Sequence, residues 1–283
     1  MNHSAVPRFP AETPRFPARG FPRTEADISF PRRKPRWIAL SLTYRLVQVA
    51  RWIVGDRALL RFFLNANWIC WRFSYELSWQ TFGGAFRNTT YCVSDDLLAR
   101  WIPAGGAVVD IGCGTGRLCH MAGRHAGRVV GIDYDRTLIA QAVRQNTSSH
   151  IEFRVGDVTT ALPGEQFDVA LLVAVLEHIE DVDSLLRSIR TVAPTLIVEV
   201  PDFDADPLNL VRRDLACVWY TDADHVREYT QPVLEEHLAR NGWTPVEWER
   251  RGGMMLAVCE RSEPGEARSL VRAGEGAAQN SNV

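Results

Sequence analysis

The run VVDIGCGTGRL, residues 108–118, decides how this chain is read. Apolar residues with one acid, Asp110, read as a strand. Gly112, Gly114 and Gly116 then alternate with other residues, and Arg117-Leu118 open a helical pattern. Glycines in a turn between strand and helix let a ligand approach the main chain closely. Such a turn has two common uses. It cradles a dinucleotide's pyrophosphate with spacing G-x-G-x-x-G, or it holds a nucleoside whose ribose carries an amino acid. Here the place of the dinucleotide motif's last glycine is taken by Arg117, a long side chain where a pyrophosphate and close packing are expected. That weakens the dinucleotide reading and leaves an NAD-linked oxidoreductase as the alternative.

Working outward, strand and helix alternate. Strands are expected at 107–111, 128–133, 150–157, 167–175 and 195–200, with helices to about 125 and over 135–146, 181–191 and 230–241. Strands that are apolar throughout and separated by helices predict a parallel sheet covered on both faces. WTPVEWERR and GMMLAVCE, joined at Gly252-Gly253, read instead as an antiparallel hairpin at the sheet edge.

Three acids fall at the ends of successive strands: Asp110, Asp133 in GIDYD and Asp157 in VGDV. Ligands of open α/β sheets sit at those carboxyl ends. Asp133 is placed to accept hydrogen bonds from ribose hydroxyls, Tyr134 to lie along adenine, and Asp157 to accept from an exocyclic amine. Each alone would pass for a solvated or capping acid.

Together, VVDIGCGTGRL, VVGIDYD, the VGDV strand end, FDVALLVAVLEHIED and the late GW resemble class I S-adenosylmethionine-dependent methyltransferases over roughly residues 91–260. The resemblance implies a Rossmann-like seven-stranded α/β sheet, order 3-2-1-4-5-7-6 with strand seven antiparallel. It implies S-adenosyl-L-methionine as cofactor, held by Asp110, Gly112, Gly114, Gly116, Asp133, Tyr134, Asp157 and Val158. Asp110 and Gly112 then lie by the methionine portion, and Asp157 with Val158 meets the adenine edge.

Methyl transfer from a sulfonium is an in-line displacement, so alignment matters most and a base is needed only for a protonated acceptor. Two segments offer such groups. Glu177-His178 in VLEHIED lies at the mouth of strand four, with His178 as base and Glu177 as a substrate contact, or as a helix start. DADHVREYT, residues 222–230, offers His225 as base and Arg227 and Tyr229 as substrate contacts, or as capping and packing residues, with Thr230 capping the next helix. The sequence is similar to ubiquinone-pathway O-methyltransferases, in some of which a Glu three positions before the Glu-His pair helps bind a divalent ion. Ala174 stands there, so no metal is expected. The long connection 201–225, with Phe203, Trp219 and Tyr220, is expected to act as a lid together with the N-terminal helices.

Residues 37–90 form a helical extension in this reading. Leu42, Leu46, Val49 and Ile53 make one stripe, and Leu60, Phe63, Leu64 and Trp68 another, among Arg45, Arg51, Arg57, Arg61 and Arg72. Packing on the main domain, lining a pocket, and peripheral membrane contact through 37–80 all fit it. Residues 1–36, with seven of the fifteen prolines and eight basic against three acidic side chains, read as a disordered basic arm, and 261–283 as a disordered tail.

The whole chain, 283 residues with 46% hydrophobic residues and a net charge of −2, suits a globular protein. It lacks the clustered basic face of a nucleic-acid binder. VLEH also stands where many amino-directed nucleic-acid methyltransferases carry Asn/Asp-Pro-Pro-aromatic. Six scattered cysteines without a CxxC pair argue against structural zinc and fit a cytoplasmic location. The expected activity is transfer of a methyl group to the oxygen or nitrogen of an apolar or aromatic-bearing small molecule. A non-catalytic cofactor-binding protein at a membrane surface is the other alternative.

Overall fold

The computed structural model describes residues 38–84, 86, 90–218, 222 and 224–262. The expected basic arm, the tail beyond 262, and Trp219, Tyr220, Thr221 and Ala223 lie outside the described residues. The chain divides into two units, one formed by the N-terminal helices together with the segment 207–219, the other by residues 90–206 and 220 onward.

The larger unit is built on a seven-stranded sheet. Its strands are β1 (Ala107–Ile111), β2 (Arg128–Asp133), β3 (Ile151–Val155), β4 (Val169–Val173), β5 (Thr195–Pro201), β6 (Trp243–Arg251) and β7 (Met254–Arg261). They are ordered β3-β2-β1-β4-β5-β7-β6. The first five pair in parallel, and β7 runs antiparallel to both β5 and β6. This is the order and direction that the resemblance implied. Gly252 and Gly253, with φ of 58° and 87°, supply the two left-handed residues a tight hairpin turn requires. Pro245 sits at a register shift on the edge strand β6, where its missing N–H breaks no ladder between central strands.

Side chains alternate across the sheet into two cores. Val109, Ile111, Val130, Ile132, Leu172 and Val198 join one; Val108, Val129, Val169, Leu171 and Ile197 join the other. Both faces are therefore covered, which is why these strands read as unbroken apolar runs. The helices begin within two residues of expectation at α5 (Arg136–Gln145), α7 (Val182–Val192) and α9 (Gln231–Arg240). Asp135 caps α5 by accepting from Thr137 and Leu138 N–H, and Asp181 caps α7 by accepting from Ser184 N–H. Thr230 holds the N-cap position of α9, yet its side chain makes no capping bond; Pro232 in the first turn sets the start instead. Sequence periodicity did not reveal α3 (Asp95–Trp101) or the one-turn α6 (Val158–Ala161), which are too short to show a stripe. Between them, α4 (Arg117–Ala122) is shorter than expected.

The smaller unit contains α1 (Ile38–Val54), α2 (Asp56–Phe82) and α8 (Leu208–Asp214). Gly55, at φ 81°, separates the first two. Within this unit Arg212 donates to Asn209 Oδ1 at 2.7 Å and to Asn67 Oδ1 at 2.6 Å, tying α8 to α2. The long connection after β5 is thus no bare loop. Phe203, read as a lid aromatic, is buried at the end of β5, where its N–H bonds Tyr229 O at 2.9 Å.

Gly116 gives a test of the fold beside the glycine turn. Its φ is 83°, and a Cβ there would lie 2.6 Å from Phe153 Cε1. Gly116→Ala should lower stability by about 1–2 kcal/mol through the left-handed backbone. Overpacking should cost about 1–3 kcal/mol more. Chemical denaturation measures the sum, and adding Phe153→Leu should recover only the packing part.

Candidate functional site

Parallel register brings the strand tips level. Ile111 pairs with Ile132 and Asp133 with Val155, so the residues following β1, β2 and β3 share the carboxyl edge of the sheet. Adjacent strands lie about 4.8 Å apart, so the three tips span a width comparable to a nucleoside.

The glycine turn is pinned to β2 by main-chain bonds. Gly112 and Cys113 N–H both donate to Ile132 O, at 2.8 and 3.0 Å. All three glycines have positive φ, for different reasons. A Cβ on Gly112 would lie 2.5 Å from Val175 Cγ2, so this glycine lets the tip of β4 close against the turn. Gly116 makes room for the Phe153 ring. Gly114 meets nothing within 4 Å, so open space lies over its main chain. Beside that space Asp133, nearly buried, accepts from Gly114 N–H (2.9 Å, Oδ2) and Asp135 N–H (2.8 Å, Oδ1). A carboxylate has about four lone-pair positions, so each oxygen keeps one for a hydroxyl.

The other expected cofactor residues divide by environment. Tyr134, 87% exposed, and the exposed Asp157 stand at the edge. Val158 sends its side chain into the core, so any contact with a base falls to its main chain. Asp110 is buried beneath the turn, accepts from the Cys119 thiol at 3.2 Å, and is pushed by burial up to about 7. The Arg117 guanidinium lies 5.5 Å from the centre of the Tyr91 ring, packed on an aromatic face.

At the tip of β4 the chain turns through Ala174, a non-glycine residue at φ 55°, into a short 3-10 turn, Leu176–His178. Glu177 is buried within this turn. Its carbonyl accepts from Val226 N–H at 2.9 Å and Arg227 N–H at 3.3 Å, which docks the 224–228 segment onto the β4 tip. Its Oε2 has no hydrogen-bond partner among the described residues, and burial pushes the carboxyl up to about 7. The two histidine segments thereby meet. The His178 and His225 rings stand edge to face with centroids 4.8 Å apart. Ligand atoms of Glu177, His178 and His225 all lie within 4.8 Å of one another. His225 Nδ1 is 2.9 Å from Glu228 Oε1, and both side chains are almost wholly buried. Burial pulls the His225 imidazole toward neutrality. The hydrogen bond and charge of Glu228, with Glu177 and Asp222, outweigh that and raise it above the usual histidine value.

The structure does not bring Arg227 and Tyr229 to this cluster. Arg227 Nη1 lies 3.4 Å from His237 Nε2, and Tyr229 is fully buried with its hydroxyl donating to Leu176 O at 3.4 Å. Both pack behind the cluster. The chain bends at Val226, and Tyr229 is held in a parallel bridge with Asp202, so the odd-numbered residues 225, 227 and 229 do not share one environment. Two further acids were not singled out from sequence. Glu228 follows His225 at a spacing of three, a signal that was there to be read. Glu199 is the lone acid in an apolar strand; it is buried and accepts from Cys92 and Val93 N–H at 2.8 and 3.0 Å.

Which residues could hold a metal follows from the same geometry. Absence of a metal was expected because Ala174 cannot ligate; the structure sets His225 beside Glu177 and His178 as a third donor instead. One buried carboxylate oxygen and two imidazoles suit a divalent transition ion.

The comparisons agree with this fold. A family model described as a methyltransferase domain matches residues 109–194. A ubiquinone biosynthesis O-methyltransferase of Rhodopseudomonas palustris (strain BisB5) is 33% identical over 144 residues, covering 48% of this chain and 57% of that protein. A protein of the same name from Bradyrhizobium diazoefficiens is 39% identical over 85 residues, 29% of this chain and 34% of that one. The chain thus spans a little over half the length of curated relatives it matches. Among solved structures, the PH0226 protein of Pyrococcus horikoshii OT3 shares the fold, with a TM-score of 0.50 at 21% identity over 59% of this chain and 87% of that one.

Three carboxyls raised to about 7 have a consequence for stability. Asp110, Glu177 and Glu199 bind protons in the folded state that the unfolded chain has lost by about pH 4.5. Stability from these groups is therefore largest at the acid end of that window and falls as pH rises toward 7. His225, raised, acts in the same direction; His237, lowered chiefly by burial, opposes it. Thermal unfolding followed from about pH 5 to 8 should show a falling midpoint. Glu177→Gln should flatten the slope.

Proposed function

We propose that this chain carries a class I S-adenosylmethionine-dependent methyltransferase domain, a reading supported by the methyltransferase-domain match over residues 109–194, and that it methylates an oxygen of an apolar or aromatic-bearing small molecule. The observation that carries the reading is a convergence at one sheet edge. Open main chain at Gly114 and the carboxylate of Asp133 lie on one side of the Gly112–Val175 contact, and the Glu177–His178–His225 cluster follows on the other. The O-methyltransferase name of the curated relatives supports oxygen as the accepting atom.

The residues present fit the adenosyl group. Asp133 has acceptor capacity left for two ribose hydroxyls, Tyr134 presents an exposed ring for the base, and Asp157 accepts an exocyclic amine. When bound, S-adenosylmethionine would supply an electrophilic methyl group to the acceptor oxygen, with S-adenosylhomocysteine as the co-product. His225 takes the acceptor's proton. With Nδ1 held by Glu228, the basic nitrogen is Nε2, and the Glu228 carboxylate steadies the imidazolium that results. His178 orients the acceptor against the His225 ring.

A second reading rests on Glu177 Oε2, which has no partner among the described residues. Glu177, His178 and His225 would hold a divalent ion, which would supply Lewis acidity to the acceptor oxygen. A cytoplasmic location and 37–90 as a separate helical extension belong to the same proposal. No described helix is long and apolar enough to cross a membrane.

Calorimetric titration with S-adenosylhomocysteine should show binding, with NADH giving no fluorescence change. Asp133→Ala should weaken that binding on the order of 10-fold or more through lost charged hydrogen bonds; an unchanged affinity refutes the placement. Released S-adenosylhomocysteine, assayed against a panel of hydroxylated aromatics, reports turnover. His225→Ala should lower kcat on the order of 10²–10⁴-fold. The acid limb of the kcat/KM profile should lie above the ordinary histidine pKa and move to lower pH in Glu228→Gln, because the groups raising His225 are weakened. Activity lost to a chelator and regained with a divalent ion would select the metal reading.

A further inference from the structure

Helix α1 carries an apolar stripe on its outside. Leu42, Leu46, Val49 and Ile53 fall within about 60° of one another around a helix of 3.6 residues per turn. They are 56%, 69%, 60% and 77% exposed, and Trp52, at the edge of the stripe, is 95% exposed. A stripe of this spacing ordinarily faces a core. Contiguous exposed apolar surface of this kind marks a contact with something else.

Charge decides what that is. Helices α1 and α2 hold five arginines against two acids, Asp56 and Glu76. Both acids are already paired, Asp56 with Arg51 and Glu76 with Arg72, each at 2.7 Å. Arg45, Arg57 and Arg61 are exposed and make no ion pair among the described residues. Arg45, seven positions before Trp52, lies on the same flank of the stripe. The sequence upstream, residues 1–36, adds a further excess of five positive charges. A second copy of this chain would set like charge against like. An anionic bilayer complements both properties, since apolar side chains enter the acyl boundary while arginines remain at the headgroups.

We propose that α1 is a bilayer-docking helix, lying in the plane of an anionic lipid surface with Leu42, Leu46, Val49, Ile53 and Trp52 inserted and Arg45, Arg57 and Arg61 at the phosphates. Stripe and charges, separate from the chemistry of the site, carry this inference, which does not rest on methyl transfer. An enzyme held there meets acceptors dissolved in the lipid.

Co-sedimentation of the full chain with vesicles tests it. Binding is expected to phosphatidylcholine vesicles containing roughly one-third phosphatidylglycerol, with little to phosphatidylcholine alone and a fall as salt rises. Leu46→Glu/Val49→Glu should reduce the bound fraction on the order of 10-fold. Arg45→Gln/Arg57→Gln/Arg61→Gln, which removes only exposed charge, should reduce it by a similar factor. Equal binding by wild type and both variants, or no binding to anionic vesicles, overturns the proposal. So does a soluble dimer that Leu46→Glu/Val49→Glu splits, since the stripe would then belong to a second copy. S-adenosylhomocysteine titration of each protein keeps the two questions apart. Its failure in the wild type counts against the site reading alone, and its survival in a variant shows that only the surface was lost.

Discussion

The carboxylate of Asp133 is the joint on which the site depends. One oxygen holds the N–H of Gly114, the other the N–H of Asp135, so a single side chain fixes the turn after β1 and the exit from β2. Hydrogen bonds to an ionised acceptor are the stronger kind, and here the group is nearly buried, where they count for more. The left-handed glycines make the approach sterically allowed. Asp133 makes it definite, and the space over Gly114 inherits its position from that carboxylate.

Around this joint the molecule accumulates acids in places poor in water. Asp110 under the turn, Glu177 at the β4 tip and Glu199 on β5 are all raised by burial. They differ in what compensates them. Glu199 has two main-chain donors and acts as a clamp on the segment entering α3, whereas Asp110 has the Cys119 thiol. Glu177 keeps one oxygen without a partner among the described residues, beside two imidazoles. A buried acceptor left in that state is stabilised by whatever binds there, which is why the cluster reads as a site and Glu199 as architecture.

Much of this was legible in the sequence. Largely apolar runs located the central strands β1, β2, β4, β5 and β7, which are covered on both faces, and mixed apolar and polar runs located β3 and β6 at the two edges. The order of the sheet came from the resemblance and not from periodicity, which carries no information about which strands neighbour one another. Asp110, Asp133 and Asp157 were singled out because strand ends are where an open sheet binds; Asp133 and Asp157 stand at that edge, whereas Asp110 is buried beneath the turn. The acceptor side was harder. In HVREYT the bend at Val226 and the bridge of Tyr229 to Asp202 separate His225, which meets His178, from Arg227 and Tyr229, which contact His237 and Leu176. Short helices α3, α6 and α8 escaped because fewer than three turns leave no period to detect. Glu199 escaped because one acid in TLIVEV looks like a strand's solvent face until the sheet order buries it.

The 224–228 segment is held at the β4 tip through the carbonyl of Glu177 and the amides of Val226 and Arg227, atoms every residue except proline possesses. A hinge made of backbone is indifferent to the identity of what it carries. Apart from the buried His225–Glu228 pair, side chains along that stretch can therefore be exchanged with this anchor intact, so the surroundings of the cluster can vary while the turn held by Asp133 stays as it is.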